Sequence, residues 1–141
     1  MEAGENMKKC PIALCRHEIP GSPPHLDLFL GPEGPLEDLE DEDRVARCWR
    51  LKNDPRDLGA GDSMEASPLA LHRARYLRLA HPVRTRSIEG VVTPLWNGHC
   101  EVDDRTADAL RVKIRWPDGT TAQFELHEGR IERLPIDGLN R

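Results

Sequence analysis

The strongest constraint in this sequence is a pair of alternating runs. Leu110, Val112, Ile114 and Trp116 are separated by Arg111, Lys113 and Arg115, and Thr120, Ala122, Phe124 and Leu126 by Thr121, Gln123 and Glu125. Period-two alternation requires a strand with one buried and one wet face. Parity then decides the turn. A two-residue Asp118-Gly119 loop would set Ile114 against Gln123 and Trp116 against Thr121, apolar against polar on one face, which the pleat forbids. The three-residue loop Pro117-Asp118-Gly119 instead pairs Ile114 with Ala122, Val112 with Phe124 and Leu110 with Leu126. It also places Arg111 opposite Glu125 on the wet face. Pro117 suits the first turn position, and Gly119 the left-handed residue that closes such a hairpin.

Further strand signals surround this hairpin. Ser87–Thr93 carries Ile88, Val91 and Val92 and is stopped by Pro94, with Gly90 marking a bulge or tight bend. Asn97-Gly98 reads as a turn, His99–Val102 as the start of another strand, and Arg130–Leu134 as a last short one before Pro135. Five short strands with turns every 8–12 residues predict a small antiparallel barrel over residues 76–137. The run RVKIRWPDGTTAQFELHEGRIERLP resembles the strand–turn–strand–short strand of SH3-like barrels of the Tudor and KOW type. Those families show a V-x-V-x-W-x-D-G pattern, an aromatic strand and a final I-x-x-L. The resemblance covers about residues 87–136 and implies a non-catalytic binding module for peptides, modified side chains or nucleic acid, without choosing among them.

The N-terminal half reads differently. Residues 1–35 hold Pro11, Pro20, Pro23, Pro24, Pro32 and Pro35, half of the twelve prolines. Each removes a backbone donor and biases its predecessor away from helix. A flexible arm is therefore expected there, although Leu26, Leu28 and Leu30 alternate with Asp27 and Phe29 and suit a short docked strand. Glu37–Asp43 is acidic, with six acids in seven positions, and Arg44, Arg47, Arg50 and Lys52 follow. Acids before bases suit a helix macrodipole, and Val45, Cys48, Trp49 and Lys52 share one helical face. A helix over 37–52, ended by Asn53-Asp54-Pro55, is the expectation. Ser67-Pro68 starts a second, over 68–75. The whole is thus read as α+β: an arm over 1–35, a short helical segment over 36–75, and a C-terminal SH3-like barrel over 76–137.

Composition narrows the function classes. No apolar run approaches the ~20 residues that span a bilayer, so no membrane partner is expected. Lys8 and Lys9 are followed by no apolar h-region, which predicts a cytoplasmic chain whose cysteines, Cys10, Cys15, Cys48 and Cys100, are reduced thiols. The net charge is −5, yet Ala66–Ile88 holds Arg73, Arg75, Arg78, Arg84 and Arg86 and no acid. Such a stretch can neutralise phosphates or meet an acidic patch, on a partner or on the chain's own 33–43 segment. With an acidic overall balance and only six aromatics, a protein partner is favoured over nucleic acid.

Chemistry-bearing constellations are sparse. Cys10-x4-Cys15 with His17, His25 or Cys48 has a spacing that zinc accepts, so Cys10, Cys15, His17 and Cys48 form a zinc set on paper, but a second tight pair is lacking. His99 and Cys100 are strand neighbours with opposite faces, and no nucleophile elbow accompanies any cysteine. Gly59-Ala60-Gly61-Asp62-Ser63 lacks the lysine of a phosphate loop. Asp103, Asp104 and Asp108 read as a solvated acidic loop. Trp116 and Phe124 fall on the buried parity, leaving Trp96 as the candidate exposed aromatic contact. The sequence therefore predicts a non-enzymatic binding or adaptor protein without a cofactor. The five arginines would steer a protein partner and Trp96 would anchor it. A nucleic-acid-binding barrel and a zinc-stabilised regulatory protein are the alternatives.

Overall fold

The computed structural model describes residues 7–85, 90–103 and 109–135. Its strands are β1 (Lys8–Glu18), β2 (His25–Leu30), β3 (Arg44–Leu51), β4 (Ser63–Arg73), β5 (Val83–Arg84), β6 (Val91–Asp103), β7 (Ala109–Arg115), β8 (Thr121–His127) and β9 (Arg130–Arg133). All pair antiparallel in one sheet of order β1-β2-β3-β4-β9-β8-β7-β6-β5, and β1 also pairs with β6. The additional pairing closes β1–β4 and β6–β9 into a ring, with β5 as a short extension beside the start of β6. Closure pairs β1 and β6 on both sides, while β4 meets β9 only over Ser63–Glu65.

The central hairpin forms with the register that parity demands. Ile114 faces Ala122, Val112 faces Phe124, Leu110 faces Leu126 and Arg111 faces Glu125. Gly119 adopts φ +91°, and its amide donates to the Trp116 carbonyl at 2.9 Å.

The enclosed side of the ring is filled. Ile12 and Leu14 of β1, Leu28 and Leu30 of β2, Trp49 and Leu51 of β3, Val112 and Ile114 of β7, Phe124 of β8 and Ile131 of β9 share one core. Trp96 and Trp116 meet edge to face in it at 5.7 Å between ring centroids. A second core lies on the opposite face of β1, β2 and β3. There Cys15, Phe29, Ala46 and Cys48 pack against Val92 and against Ala74 and Leu77 of the 3-10 turn Ala74–Leu77.

This second layer overturns the α+β expectation. The described residues contain strands and 3-10 turns but no α-helix. The segment read as a helix over 37–52 is a 3-10 turn at Leu36–Asp38 followed by β3, and the one read over 68–75 lies mostly in β4. β3 is covered on both faces, so Ala46 and Cys48 are buried outward while Trp49 and Leu51 are buried inward. Two-sided burial erases alternation. The residues read as a flexible arm contain β1 and β2, and β1 is buried without interruption from Cys10 to Cys15. The SH3-like resemblance is likewise corrected, because the β6–β9 strands are one part of a larger ring that needs β1–β4 to close.

A bulge explains the run around Pro94. β6 continues from Val91 to Asp103 through Pro94 and Gly98. Its register against β1 shifts between Leu14 and Cys15, which pair with Trp96 and Pro94, so Leu95 is the extra residue. Leu95 is exposed, and the inserted residue flips side-chain parity. Val92 thereby joins the outer core and Trp96 the inner one. Gly98 is required because a Cβ there would lie 2.7 Å from the Arg115 carbonyl oxygen.

Candidate functional site

The basic segment folds back onto the chain's own acids. Arg73 Nε lies 2.7 Å from Glu42 Oε1, Arg75 Nη1 lies 3.8 Å from Glu42 Oε2, and Arg78 Nε lies 3.1 Å from Asp41 Oδ1. Arg78 also donates to the carbonyls of Leu36 and Leu39 at 3.0 and 2.7 Å. These contacts hold the 36–43 segment over the 74–77 turn, so three of the proposed contact arginines have intramolecular partners. Arg84 is exposed on β5, and Arg86 lies outside the described residues.

Trp96 is corrected from an exposed anchor to a core side chain. It is 7% exposed. Its indole N–H donates to Asp54 Oδ2 at 3.2 Å, and Asp54 in turn accepts from the Arg56 amide at 2.9 Å as the cap of the 3-10 turn Pro55–Asp57.

The zinc set Cys10, Cys15, His17 and Cys48 is not brought together. Cys10 faces the inner core, beside Cys100 across β1 and β6, whereas Cys15 and Cys48 face the outer one. All four cysteines are free and buried. Burial, reinforced by Asp27, pushes the Cys15 thiol up to about 12. Burial likewise raises Cys48 and Cys100. These are protonated thiols, poor as nucleophiles or ligands.

Two other arrangements carry chemistry. The first is a groove of about 390 Å³ on the outer face of β1, β6, β7 and β8, lined by Lys9, His99, Cys100, Glu101, Lys113, Arg115 and Thr121. Strand register builds it: Lys9 faces Glu101, Glu101 faces Lys113, and His99 faces Arg115, which faces Thr121. The polar members of the alternation therefore line up in two rows across the sheet. Lys9, Lys113 and Arg115 have no ion-pair partner within 4.0 Å among the described residues.

The second is the cluster His17, His25 and Asp27 on the outer face of the β1–β2 hairpin. His17 faces His25 across the strands, and Asp27 lies between Cys15 on β1 and Arg50 on β3. Asp27 is 4% exposed, the one buried charged side chain among the described residues. Burial pushes its carboxyl up, against the opposing pull of His25, His17, Arg50 and His72. Burial also pushes His25 down, although Asp27 acts the other way.

The sequence held partial signals for both. The Leu26–Leu30 alternation already put Asp27 on the face opposite the leucines. The missing step was placing His17 beside His25, which needs the register of β1, a strand hidden by its two-sided burial. The groove residues Lys113 and Arg115 were legible as wet-face positions, but Lys9 and His99 join them only through the β1–β6 pairing.

Comparison with known proteins adds no relative: no family model, no curated protein and no solved structure matches the chain. No helix among the described residues is long and apolar enough to cross a membrane.

Proposed function

We propose that the chain is a non-enzymatic binding protein that engages an acidic segment of a protein partner on the outer face of β6, β7 and β8. The observation that carries this reading is the groove in which Lys9, Lys113 and Arg115, beside His99, have no ion-pair partner within 4.0 Å among the described residues, on a chain of net charge −5. A strip in which three cations outnumber the single carboxylate, Glu101, steers anionic ligands to one place on an acidic protein. The interior of the ring is packed with side chains, which favours a ligand held outside. Arg73, Arg75 and Arg78 hold the acidic 36–43 segment in place. A reducing compartment such as the cytoplasm accords with four free thiols.

The test is fluorescence anisotropy with a labelled peptide of Asp and Glu and a labelled single-stranded oligonucleotide of equal charge, each at two salt concentrations. The peptide is expected to bind the full chain, weakly at high salt, and to lose at least tenfold in affinity to Lys113→Glu/Arg115→Glu. Preference for the oligonucleotide with a steep salt slope would transfer the reading to nucleic acid. Equal binding by the charge-reversed variant would remove the groove from it.

A further inference from the structure

We infer that His17, His25 and Asp27 form a binding site for a single zinc-class divalent cation. The site follows from register. His17 and His25 are direct partners across β1 and β2, and Asp27 is two residues along β2 from His25, so all three side chains emerge on the same face. His17 Nδ1 lies 3.8 Å from Asp27 Oδ2, and His25 Nε2 lies 3.5 Å from Asp27 Oδ1. The ligand atoms of all three lie within 4.8 Å of one another.

These separations are too long for hydrogen bonds, which need about 2.7–3.2 Å. They suit a shared cation better. With metal–ligand bonds of ~2.0–2.1 Å, the edge of a tetrahedron is about 3.3 Å, close to the 3.5 Å between His25 Nε2 and Asp27 Oδ1, while His17 Nδ1 reaches the other Asp27 oxygen at 3.8 Å. Asp27 Oδ1 and His25 Nε2 are buried without a hydrogen-bond partner among the described residues. A buried carboxylate with an unsatisfied oxygen is the group for which a cation between the three side chains compensates most directly.

The donor set selects the ion. Two imidazoles and one carboxylate suit zinc and its borderline neighbours rather than calcium or magnesium, which require mostly oxygen. Cys15 is the neighbour of Asp27 in register, but its thiol points to the Tyr76 carbonyl at 3.9 Å. The site is therefore three-coordinate from protein, with a fourth position for water or a ligand atom. Gly90 sits against it: a Cβ there would fall 2.9 Å from His17 Nε2 and 3.0 Å from the Thr85 hydroxyl. Arg50 is the competitor. Its Nε is 4.0 Å from Asp27 Oδ1, and its side chain is about half exposed, so it can swing into solvent when a cation enters. A second cluster, Glu125, His127 and Glu132, is more exposed, and there His127 Nε2 already lies 2.9 Å from Glu125 Oε1.

The experiment is calorimetric titration of the metal-free full chain with zinc chloride. One zinc per chain is expected, with micromolar or tighter affinity. Affinity should fall at least 100-fold in Asp27→Asn and His25→Gln, rise several-fold in Arg50→Gln, and stay unchanged in His127→Gln. Should the first two variants fail to fold, imidazole NMR of the wild-type chain decides: zinc must shift His17 and His25, and leave His81, His99 and His127 in place. Absence of saturable zinc binding overturns the inference. So does binding that survives both substitutions, or shifts confined to His127.

Discussion

Replacing Leu14 by Ala tests whether the N-terminal segment is structural. Leu14 is 0% exposed and sits between Leu28 of β2 and Trp96 of β6, at the seam where the ring closes. A buried Leu→Ala change costs the lost transfer free energy plus the cavity left behind, together about 3–5 kcal/mol. The unfolding entropy for 141 residues is roughly 0.3 kcal/mol/K, at ~2.1 cal/mol/K per residue. A loss of ~3 kcal/mol therefore lowers the melting temperature by about 10 °C. Urea unfolding followed by tryptophan fluorescence is the assay, because Trp49, Trp96 and Trp116 are all buried and redden together on unfolding. The midpoint should fall with the slope unchanged, since the surface exposed on unfolding is the same. A loss below ~0.5 kcal/mol, the size expected of an exposed position, would show that β1 does not pack as described.

Two further outcomes follow from the same packing. Asp54→Ala removes the cap of the 55–57 turn, the acceptor for Trp96 and the partner of Arg56 at 2.8 Å; a loss of about 1–3 kcal/mol in urea unfolding is expected, and Asp54→Asn should recover part of it. Thiol labelling at pH 8 should be negligible in the native chain and reach all four cysteines in denaturant, because each is buried and Cys15 stays protonated up to about 12; fast native labelling of any one would contradict its placement.

What was legible in the sequence depended on how many faces of a strand are covered. β7 and β8 have one wet face, so Leu110–Leu126 gave away strands, turn and register together. β1 and β3 are covered on both sides, by the inner core and by the 74–77 turn with its neighbours. Their apolar residues therefore lose the period of two, and Val45, Cys48 and Trp49 took on a helical spacing by coincidence. The prolines misled for a related reason. Pro11 lies inside β1 and is fully buried, although proline usually marks a sheet edge or bulge. Charge segregation was read correctly as two opposite patches, but only the fold brings Glu42 to Arg73 and Asp41 to Arg78. The histidine–aspartate cluster needed the β1–β2 register, which local pattern alone does not supply.

Native-state hydrogen exchange compares the two halves of the ring within one intact chain. If β1 pairs with both β2 and β6, the paired amides between Ile12 and Arg16 exchange as slowly as those of Val112–Ile114, through the same global opening. Exchange of the β1 amides at rates of an unstructured peptide, with β7 and β8 still protected, would mean that the sheet is not closed.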